Sequence, residues 1–259
     1  MGIVNLTPDS FWAGSRAEGA TGAVEHALAL AAAGADLLDL GAESSRPGAE
    51  RITAAAEQDR LLPVLEALRR ETDLPLSVDT VRTTTARAAL DAGADAVNDI
   101  TAAADPGMLE LVAQRGCGLV LMHMQGAPGT MQQAPRYYDV VAEVTGFLAA
   151  RCLLAAEAGV APDRLLVDPG IGFGKTLEHN LELLRGLERV ANGRALLLGA
   201  SRKRFIGELS GADVGDRLPG SLAALVAAWQ GNTSVVRVHD VAASVQFLEV
   251  LSRSVGIQS

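Results

Sequence analysis

The sequence predicts an α/β fold, a (β/α)₈ TIM barrel formed by residues 1–259 as a single domain. Three observations support this prediction: the chain has 259 residues, it contains eight short apolar runs, and a segment with helical periodicity follows each run. Near-continuous apolar strands are typical of a parallel sheet that is covered on both faces. Eight consecutive β-then-α units, in a chain close to the usual barrel length of about 250 residues, favour a closed barrel over an open sheet.

The eight runs are rich in β-branched residues and leucine. They lie at residues 2–6, 37–41, 76–80, 96–100, 118–124, 165–168, 195–199 and 235–239. Helical segments follow them, for example at 20–33 and 241–252. Two similar stretches, AAGAD at 32–36 and DAGAD at 91–95, place a glycine where a helix gives way to the next strand. We interpret both as αβ turns in which the glycine adopts the left-handed cap conformation.

Composition and charge exclude several classes of protein. Hydrophobic residues make up 49% of the chain. No stretch of about 18 apolar residues lacks a charge or a turn signal, so no membrane span is expected. The net charge of −9 argues against a general surface for nucleic acid or anionic membranes. The first residues resemble neither a signal peptide nor a transit peptide, so we expect a cytoplasmic protein. Cys117 and Cys152 are too far apart in sequence for a metal or redox motif, and we expect both in the core.

Polar side chains stand at or near the carboxyl ends of all eight predicted strands. In α/β barrels these ends meet at one rim, where binding and catalytic residues are found. A single Asp at such a position more often caps the next helix, so the prediction depends on the whole set. The set comprises Asn5, Asp39, Asp79, Asn98, Asp99, His123, Asp168, Ser201, Lys203, Arg237 and His239. We therefore expect one functional site at this rim.

The acceptors of this set suit a flat heterocycle that is rich in hydrogen-bond donors, such as an aminopyrimidinone. Asp79, Asn98 and Asp168 could present carboxylate and amide groups to it with bidentate geometry. The cations suit a different group. Arg46, Lys203, Arg237 and His239, with backbone donors at residues 44–45, could supply the local positive charge that a phosphate or pyrophosphate requires in an acidic protein.

Asn5 is a neutral oxygen donor that could join diphosphate oxygens and water around Mg²⁺, because that ion takes few protein ligands. The magnesium ion would then arrive with the substrate.

The segment DPGIGFGKT at 168–176 resembles a nucleotide phosphate-binding loop, but Pro169 stands where the first glycine of that motif is required. Glycines 170, 172 and 174 permit close approach of a ligand, or of Phe173, whose ring could form a wall for an aromatic substrate. Lys175 is interpreted as solvated. His26 and His179 are interpreted as surface or packing residues, whereas His123 beside Met122 and Met124 could belong either to the site or to the core.

Eight segments together resemble the dihydropteroate synthases. They are GIVNLTPDSF (2–11), GAESSRPGA (41–49), SVDT (77–80), VNDI (97–100), LMHMQGAPGTMQ (121–132), DPGIGFGKT (168–176), GASRKRFIG (199–207) and RVHD (237–240). Each is a weak signal alone, but their joint order and spacing are specific. The resemblance implies a barrel, usually a homodimer, that joins 6-hydroxymethyl-7,8-dihydropterin pyrophosphate to p-aminobenzoate in folate biosynthesis, with sulfonamides as competitors.

The resemblance also implies a role for individual residues. The pterin contacts are Asp39, Asp79, Asn98, Met122, Asp168, Gly199, Lys203 and Arg237, with Asp39 behind the pterin. The pyrophosphate contacts are Asn5, Ser45, Arg46, Arg237 and His239, and Asn5 is also the magnesium ligand. The surroundings of p-aminobenzoate are Phe11, Ser45, Pro47, Gly172, Phe173 and Ser201.

The mechanism that the resemblance implies is SN1-like. Pyrophosphate leaves first, and the amine of p-aminobenzoate attacks a delocalised pterin carbocation. Asp79 and Asp168 would stabilise the cation, while Lys203, Arg237 and His239 would stabilise the leaving group. No nucleophilic side chain is needed, which agrees with a sequence that shows no obvious Ser–His or Cys–His pair.

Two departures from the family pattern stand out. Trp12 and Ala13 occupy positions where the family usually has Ser and Asp, so we expect a weakened chemical step. The chain also begins inside the first strand, without the hairpin common in the family. The loops at 7–18 and 43–52, which contain Pro, Ser, Gly and Arg, are expected to act as lids.

Two alternatives remain open at this point. A methyltetrahydrofolate-dependent methyltransferase would share the Asp, Asn and Asp pterin set, but it would have no use for a cation cluster. A catalytically silent pterin-binding protein would fit the changes in the first loop.

Overall fold

The computed structural model describes residues 1–7, 16–44 and 51–255. Its strands are β1 Gly2–Asn5, β2 Leu38–Gly41, β3 Leu76–Asp79, β4 Ala96–Asp99, β5 Gly118–Met122, β6 Leu165–Asp168, β7 Ala195–Leu198 and β8 Val235–Val236. All pairings are parallel, and the strands are ordered from β1 to β8 as in the sequence. The predicted order of eight parallel strands is confirmed.

Hydrogen bonds between the two ends of this sheet close it into a barrel. Ile3 N donates to Val238 O over 3.0 Å, and Val238 N donates to Met1 O over 3.0 Å. Gly2 and Val238 form a parallel bridge. Each strand therefore has a neighbour on both sides, and the predicted closed barrel is confirmed.

The described residues also contain ten α-helices. They are α1 Arg16–Ala32, α2 Ala54–Glu71, α3 Thr83–Asp91, α4 Met108–Arg115, α5 Val140–Glu157, α6 Leu177–Arg185, α7 Leu187–Ala191, α8 Arg204–Ser210, α9 Leu218–Gln230 and α10 Val241–Val255. A helix follows every strand, as the periodicity predicted. None of the described helices combines the length and the apolar character of a membrane span.

The alternation of side chains along the strands separates the apolar core from the functional rim. In β3, Leu76 and Val78 belong to the buried apolar cluster shared with the helices. Ser77 and Asp79 point to the opposite face, because successive side chains of a strand alternate. Asp79 comes last in β3, so its carboxylate lies at the carboxyl end of the barrel.

Several smaller predictions can be compared with the structure. Gly34 and Gly93 have φ angles of 96° and 101°, which confirms the left-handed αβ turns. Cys117 and Cys152 are buried free thiols, as expected. Most predicted runs are a residue or more longer than the strands, and β8 ends at Val236 instead of residue 239. Helix α1 begins at Arg16, before the predicted start at residue 20.

Glu57 of α2 is a buried charged residue that the sequence did not single out. Its carboxylate accepts hydrogen bonds from Thr80 Oγ1 (2.8 Å), Thr85 Oγ1 (2.7 Å) and Arg82 Nη1 (2.9 Å). Arg82 also forms an ion pair with Glu43 and donates to the carbonyl of residue 52. Glu57 therefore joins α2 to the next βα unit.

We expect Glu57→Leu to lower the free energy of unfolding by about 3 kcal/mol, because the substitution leaves Arg82 and two hydroxyls without their buried partner. Urea denaturation measures the change. Glu66→Leu, at an exposed position of the same helix, is the matched control and should change stability by less than about 0.5 kcal/mol. Equal effects of the two substitutions would contradict the structural role of Glu57.

Candidate active site

Residues from four strands form one polar network across the mouth of the barrel. Asn98 Nδ2 donates to Asp39 Oδ2 over 3.0 Å. Arg237 Nε donates to the same oxygen over 2.6 Å, and Arg237 Nη2 donates to Asp79 Oδ2 over 3.0 Å. The network connects the middle of β2, the carboxyl ends of β3 and β4, and the residue that follows β8, and one guanidinium bonds two carboxylates.

Burial shifts the pKa values of the charged groups in this network. Asp39 is 0% exposed, and its Oδ1 atom has no hydrogen-bond partner among the described residues. Burial raises the pKa of Asp79 to about 7; the charge of Arg237 opposes this shift and that of Asp39 adds to it. Burial alone lowers the pKa of Arg237, but Asp39 and Asp79 outweigh that effect and raise it. Arg237 is therefore the counter-ion of both carboxylates.

Asp168 and Lys203 form the other side of the mouth. Asp168, at the end of β6, is buried, and its Oδ1 atom accepts a hydrogen bond from Gly170 N over 2.7 Å. Burial raises the pKa of Asp168, and the charge of Lys203 opposes the shift. Lys203 donates to the carbonyl of Ile171, and its Nζ atom lies 4.6 Å from the centroid of the Phe173 ring. Burial lowers the pKa of Lys203 to about 8, while Asp168 acts to raise it.

Small and apolar residues line the space between the charged groups. Met122 is buried at the end of β5 and pairs with Asp168 in the sheet. A Cβ atom at Gly199 would lie 3.9 Å from Lys203 Nζ and 4.0 Å from Arg237 Cβ. A Cβ atom at Gly172 would lie 3.4 Å from Lys203 Cδ. Gly199 and Gly172 therefore stand beside the predicted cations, and Met122 stands beside Asp168.

The loops after β7 and β8 are held together beside this mouth. His239 N donates to Ser201 Oγ over 3.2 Å, and His239 Nδ1 lies 3.0 Å from the same oxygen. Arg202 forms a two-point ion pair with Asp240, with distances of 2.9 Å and 2.6 Å. The sequence shows no obvious Ser–His pair, but the fold brings Ser201 and His239 into contact. Because Ser201 Oγ contacts both the backbone N–H and the ring of His239, this pair connects the two loops.

Asn5 ends β1 and pairs with Gly41, the last residue of β2. It is half-buried at the same rim. Among the described residues, no group of three or more His, Cys, Asp or Glu side chains could hold a metal ion. A single amide oxygen fits Mg²⁺ that keeps water and substrate oxygens as its other ligands, and does not fit a metal centre built by the protein.

One member of the predicted set, Asp99, and one histidine outside it, His179, have local structural roles. The Asp99 carboxylate, 0% exposed, accepts hydrogen bonds from Thr101 N (2.7 Å), Thr101 Oγ1 (2.6 Å) and Ala103 N (3.1 Å). Asp99 therefore shapes the turn after β4. His179 completes a capping box with Thr176 at the start of α6, as expected for a packing residue. His26 is half-buried within α1.

The interpretation of Lys175 as solvated is wrong. The residue is 3% exposed, and its Nζ atom lies 3.0 Å from His123 Nδ1 and 2.9 Å from Phe173 O. Burial lowers the pKa of His123 to about 3, and the charge of Lys175 adds to this shift. His123 is therefore a neutral hydrogen-bond partner within the loop.

Two further side chains that the sequence did not indicate hold the glycine-rich segment. Gln132 Nε2 donates to Gly172 O over 2.6 Å, and Tyr137 OH donates to Gly174 O over 2.8 Å. Their only signal in the sequence is that loops after consecutive barrel strands are neighbours.

Several predicted residues lie outside the described residues. They are Phe11, Ser45, Arg46 and Pro47, together with the departures Trp12 and Ala13 and most of the two proposed lids. Their roles remain predictions.

Comparison with known proteins agrees with this geometry. A family model described as "Pterin binding enzyme" matches residues 1–239. The dihydropteroate synthase of Synechocystis sp. is 44% identical over 253 residues, which cover 96% of this chain and 88% of the relative. The structure of Xanthomonas albilineans dihydropteroate synthase with 4-aminobenzoic acid superposes with a TM-score of 0.93 at 47% identity, covering 99% of this chain and 93% of that chain.

The same Xanthomonas albilineans enzyme in complex with 7,8-dihydropteroate has a TM-score of 0.89 at 45% identity, covering 99% of this chain and 93% of that chain. Similarity of this extent, over almost the full length of both chains, shows that the chain belongs to the pterin-binding enzymes and, within them, to the dihydropteroate synthase family.

Proposed function

We propose that the chain is a dihydropteroate synthase, which condenses 6-hydroxymethyl-7,8-dihydropterin pyrophosphate with p-aminobenzoate and releases 7,8-dihydropteroate and pyrophosphate. The observation that carries the proposal is the arrangement of the barrel mouth. Asp79, Asn98 and Asp168 stand there beside the cations Lys203 and Arg237. The carboxylates and the amide suit a ring that is rich in hydrogen-bond donors, and the two cations suit a departing diphosphate.

In this proposal the pterin ring lies between Asp79 and Asp168, and Asn98 bonds its edge. Met122 and Gly199 leave a flat space for the ring, and Asp39 holds Asn98 from behind over 3.0 Å. The Asp39 carboxylate also orients Arg237. The acidic residue behind the pterin thus fixes one amide and one cation.

The leaving group would meet Asn5, Lys203, Arg237 and His239. These groups stabilise the negative charge that develops as the carbon–oxygen bond breaks. Magnesium bound with the diphosphate would supply further positive charge there. Asp79 and Asp168 stabilise the pterin cation that remains, and Phe173 and Gly172 border the space for the ring of p-aminobenzoate.

Turnover in a defined mixture tests this proposal. Purified protein is incubated with dihydropterin pyrophosphate, p-aminobenzoate and Mg²⁺, and both dihydropteroate and pyrophosphate are quantified. We expect the two products in equal amounts and none when any component is omitted. Binding of the pterin without product would identify a silent pterin-binding protein. Methyl transfer from methyltetrahydrofolate would identify the other alternative, for which the cations beside Asp168 have no role.

A homodimeric state and a cytoplasmic location are part of the proposal. Helix α5 carries the exposed apolar side chains Leu153 and Leu154, which a second copy could cover. The two free cysteines suit a reducing compartment. Light scattering after size-exclusion chromatography measures the mass, and a monomer at assay concentrations would contradict the dimer.

We expect a bell-shaped dependence of kcat/KM on pH. Burial raises the pKa of Asp79 to about 7, so the carboxylate gains its charge, and the rate rises, as pH increases through that value. Burial lowers the pKa of Lys203 to about 8, so the ammonium loses its charge, and the rate falls, above that value. Lys203→Arg keeps the charge and should remove the alkaline limb. An unchanged alkaline limb in this variant would rule out Lys203 as its source.

A further inference from the structure

The segment that follows β6 is packed directly against the segment that follows β5. We call residues 170–174 the glycine turn. Gly170 and Gly174 have φ angles of 67° and 61°. A Cβ atom at Gly170 would overlap the carbonyl oxygen of His123, and one at Gly174 would lie 2.5 Å from Gln125 O. The two glycines therefore permit a contact between loops that no other residue would allow.

Lys175 provides the polar part of this contact. Its Nζ atom lies 3.0 Å from His123 Nδ1, 3.3 Å from His123 O and 2.9 Å from Phe173 O. These three acceptors match the three protons of an ammonium group, whereas a neutral amine would offer two. Burial lowers the pKa of Lys175 to about 7; Asp168 opposes that shift and Lys203 adds to it. His123, Asp168 and Lys203 are the titratable groups that face it.

The glycine turn in turn contacts both charged groups on its side of the site. Gly170 N donates to Asp168 Oδ1 over 2.7 Å. The Ile171 carbonyl accepts a hydrogen bond from Lys203, and the Phe173 ring lies under the Lys203 ammonium. The position of the turn therefore sets the positions of a carboxylate and a cation relative to each other.

We propose that Lys175 is a positioning residue for the reaction, which pins the glycine turn to the end of β5 and so holds Lys203, Asp168 and Phe173 in place. The inference rests on the proposed function. Without the ammonium, two carbonyl groups and the His123 ring lose their common donor, and the turn can shift by the small distance that disturbs catalysis. Lys175 itself contacts no substrate in this proposal.

A cavity gives small molecules access to Lys175. Its volume is about 440 Å³, and it is lined by Lys175, Gln132, Gly172, Asn180, Arg204 and Phe205, among others. Replacing Lys175 by alanine would connect the space of the missing side chain to this cavity. The atoms removed are three carbons and the nitrogen, which n-propylammonium reproduces.

The experiment measures kcat and KM of Lys175→Ala with and without n-propylammonium. We expect kcat/KM for p-aminobenzoate to fall about 10- to 100-fold, as for a small misplacement of reacting groups. n-Propylammonium should raise the activity of this variant several-fold. Tetramethylammonium at equal ionic strength should not, because it has the charge but no N–H donor.

Arg69→Ala is the matched control. Arg69 donates to Thr72 O over 2.8 Å and to Asp95 Oδ2 over 3.0 Å, so it also binds together two loops of the barrel. These loops precede β3 and β4, at the rim opposite the site. We expect this variant to lose stability, to retain kcat/KM, and to show no response to n-propylammonium.

Several results would contradict the positioning role of Lys175. Wild-type turnover in a folded Lys175→Ala variant would overturn it, and so would lost activity that n-propylammonium restores no better than tetramethylammonium. Lys175→Met keeps the apolar stem and replaces the alanine variant if that variant unfolds; its kcat/KM should fall by the same factor. Unfolding of both variants would make Lys175 a folding requirement and would also overturn the proposal. Absence of turnover in the wild-type protein would instead refute the proposed function, and titration of Lys175→Met with a pterin analogue would then test the positioning of Asp168 alone.

Discussion

Replacement of Arg237 by alanine is expected to lower kcat/KM about 10³-fold, the upper range for loss of one preorganised electrostatic group. The reason is that a single guanidinium bonds Asp39 over 2.6 Å and Asp79 over 3.0 Å. Its removal deprives the buried Asp39 and the partly buried Asp79 of their counter-ion, and the leaving group of a cation. Steady-state kinetics with both substrates measure the loss.

The pH dependence of kcat/KM in Arg237→Ala shows whether the loss of activity comes from Asp79 or from the leaving group. Arg237 acts to lower the pKa of Asp79, against the effect of burial. Without Arg237 the pKa of Asp79 rises further, so the acid limb of the kcat/KM profile should move to higher pH. Part of the lost activity should therefore return as pH is raised. A uniform loss at every pH would show that Arg237 acts on the leaving group alone.

Arg237→Lys and His239→Ala are the controls. One ammonium cannot bond both carboxylates as the guanidinium does, so the lysine variant should recover little of the activity. From the sequence alone, the cation cluster predicts that loss of Arg237 or His239 damages pyrophosphate binding and turnover much more than the affinity for a pterin without diphosphate. Because Arg237 contacts Asp39 and Asp79, we now expect its loss to lower pterin affinity as well. For His239 the expectation is unchanged. Calorimetry that shows equal pterin affinities in Arg237→Ala and His239→Ala would contradict this distinction.

The barrel could be predicted because its signals are local. Each strand is a short apolar run, and each αβ turn contains a glycine such as Gly34 or Gly93 at positive φ. Parallel strands that are connected in sequence order leave few topologies to consider. The boundaries were less predictable, because a strand ends where its ladder partner ends. The last strand stops at Val236 in the ladder with β7, although Val238 continues the pairing with β1.

The rim of the site was predictable for the same reason. A polar residue at the end of an apolar run must lie at the mouth of the barrel, whichever partner it finds there. The partners themselves could not be predicted. Arg237 and Asp39 are separated by 198 positions and meet only because the barrel closes. Asp99 has the same sequence signal as Asp79, yet its side chain turns away from the mouth because strand residues alternate.

Buried charged residues that do not stand at strand ends could not be predicted from the sequence. Glu57 lies in a helix of ordinary amphipathic composition, and its three partners come from the following βα unit. Lys175 follows a glycine-rich stretch that is usually exposed, and its acceptors lie 52 positions away as well as next to it. In both cases the charge is buried by packing between different βα units, and no local sequence pattern indicates such packing.

Asp168→Asn is the second substitution with a large expected effect. The carboxamide keeps the size of the side chain, and its oxygen can still accept the hydrogen bond from Gly170 N that Asp168 accepts over 2.7 Å. The charge is lost. We expect pterin affinity to fall about 10- to 100-fold, which corresponds to a charge-assisted hydrogen bond of roughly 1.5–3 kcal/mol. We expect turnover to fall as well, by about 10²-fold, because the cationic pterin loses a stabilising carboxylate.

Asp168→Asn should also lower the pKa values of two lysines. Asp168 acts to raise the pKa of Lys203 and of Lys175, in both cases against burial. Without its charge both values fall further, so the alkaline limb of the kcat/KM profile should move below the value of about 8 expected for wild-type Lys203. Asp99→Asn is the matched control, since Asp99 is also a buried carboxylate at the end of a barrel strand, β4, but bonds only its own turn. That control should cost stability and leave both pterin affinity and the alkaline limb unchanged. Unaltered pterin affinity in Asp168→Asn, or an equal loss in Asp99→Asn, would place the pterin somewhere other than between Asp79 and Asp168.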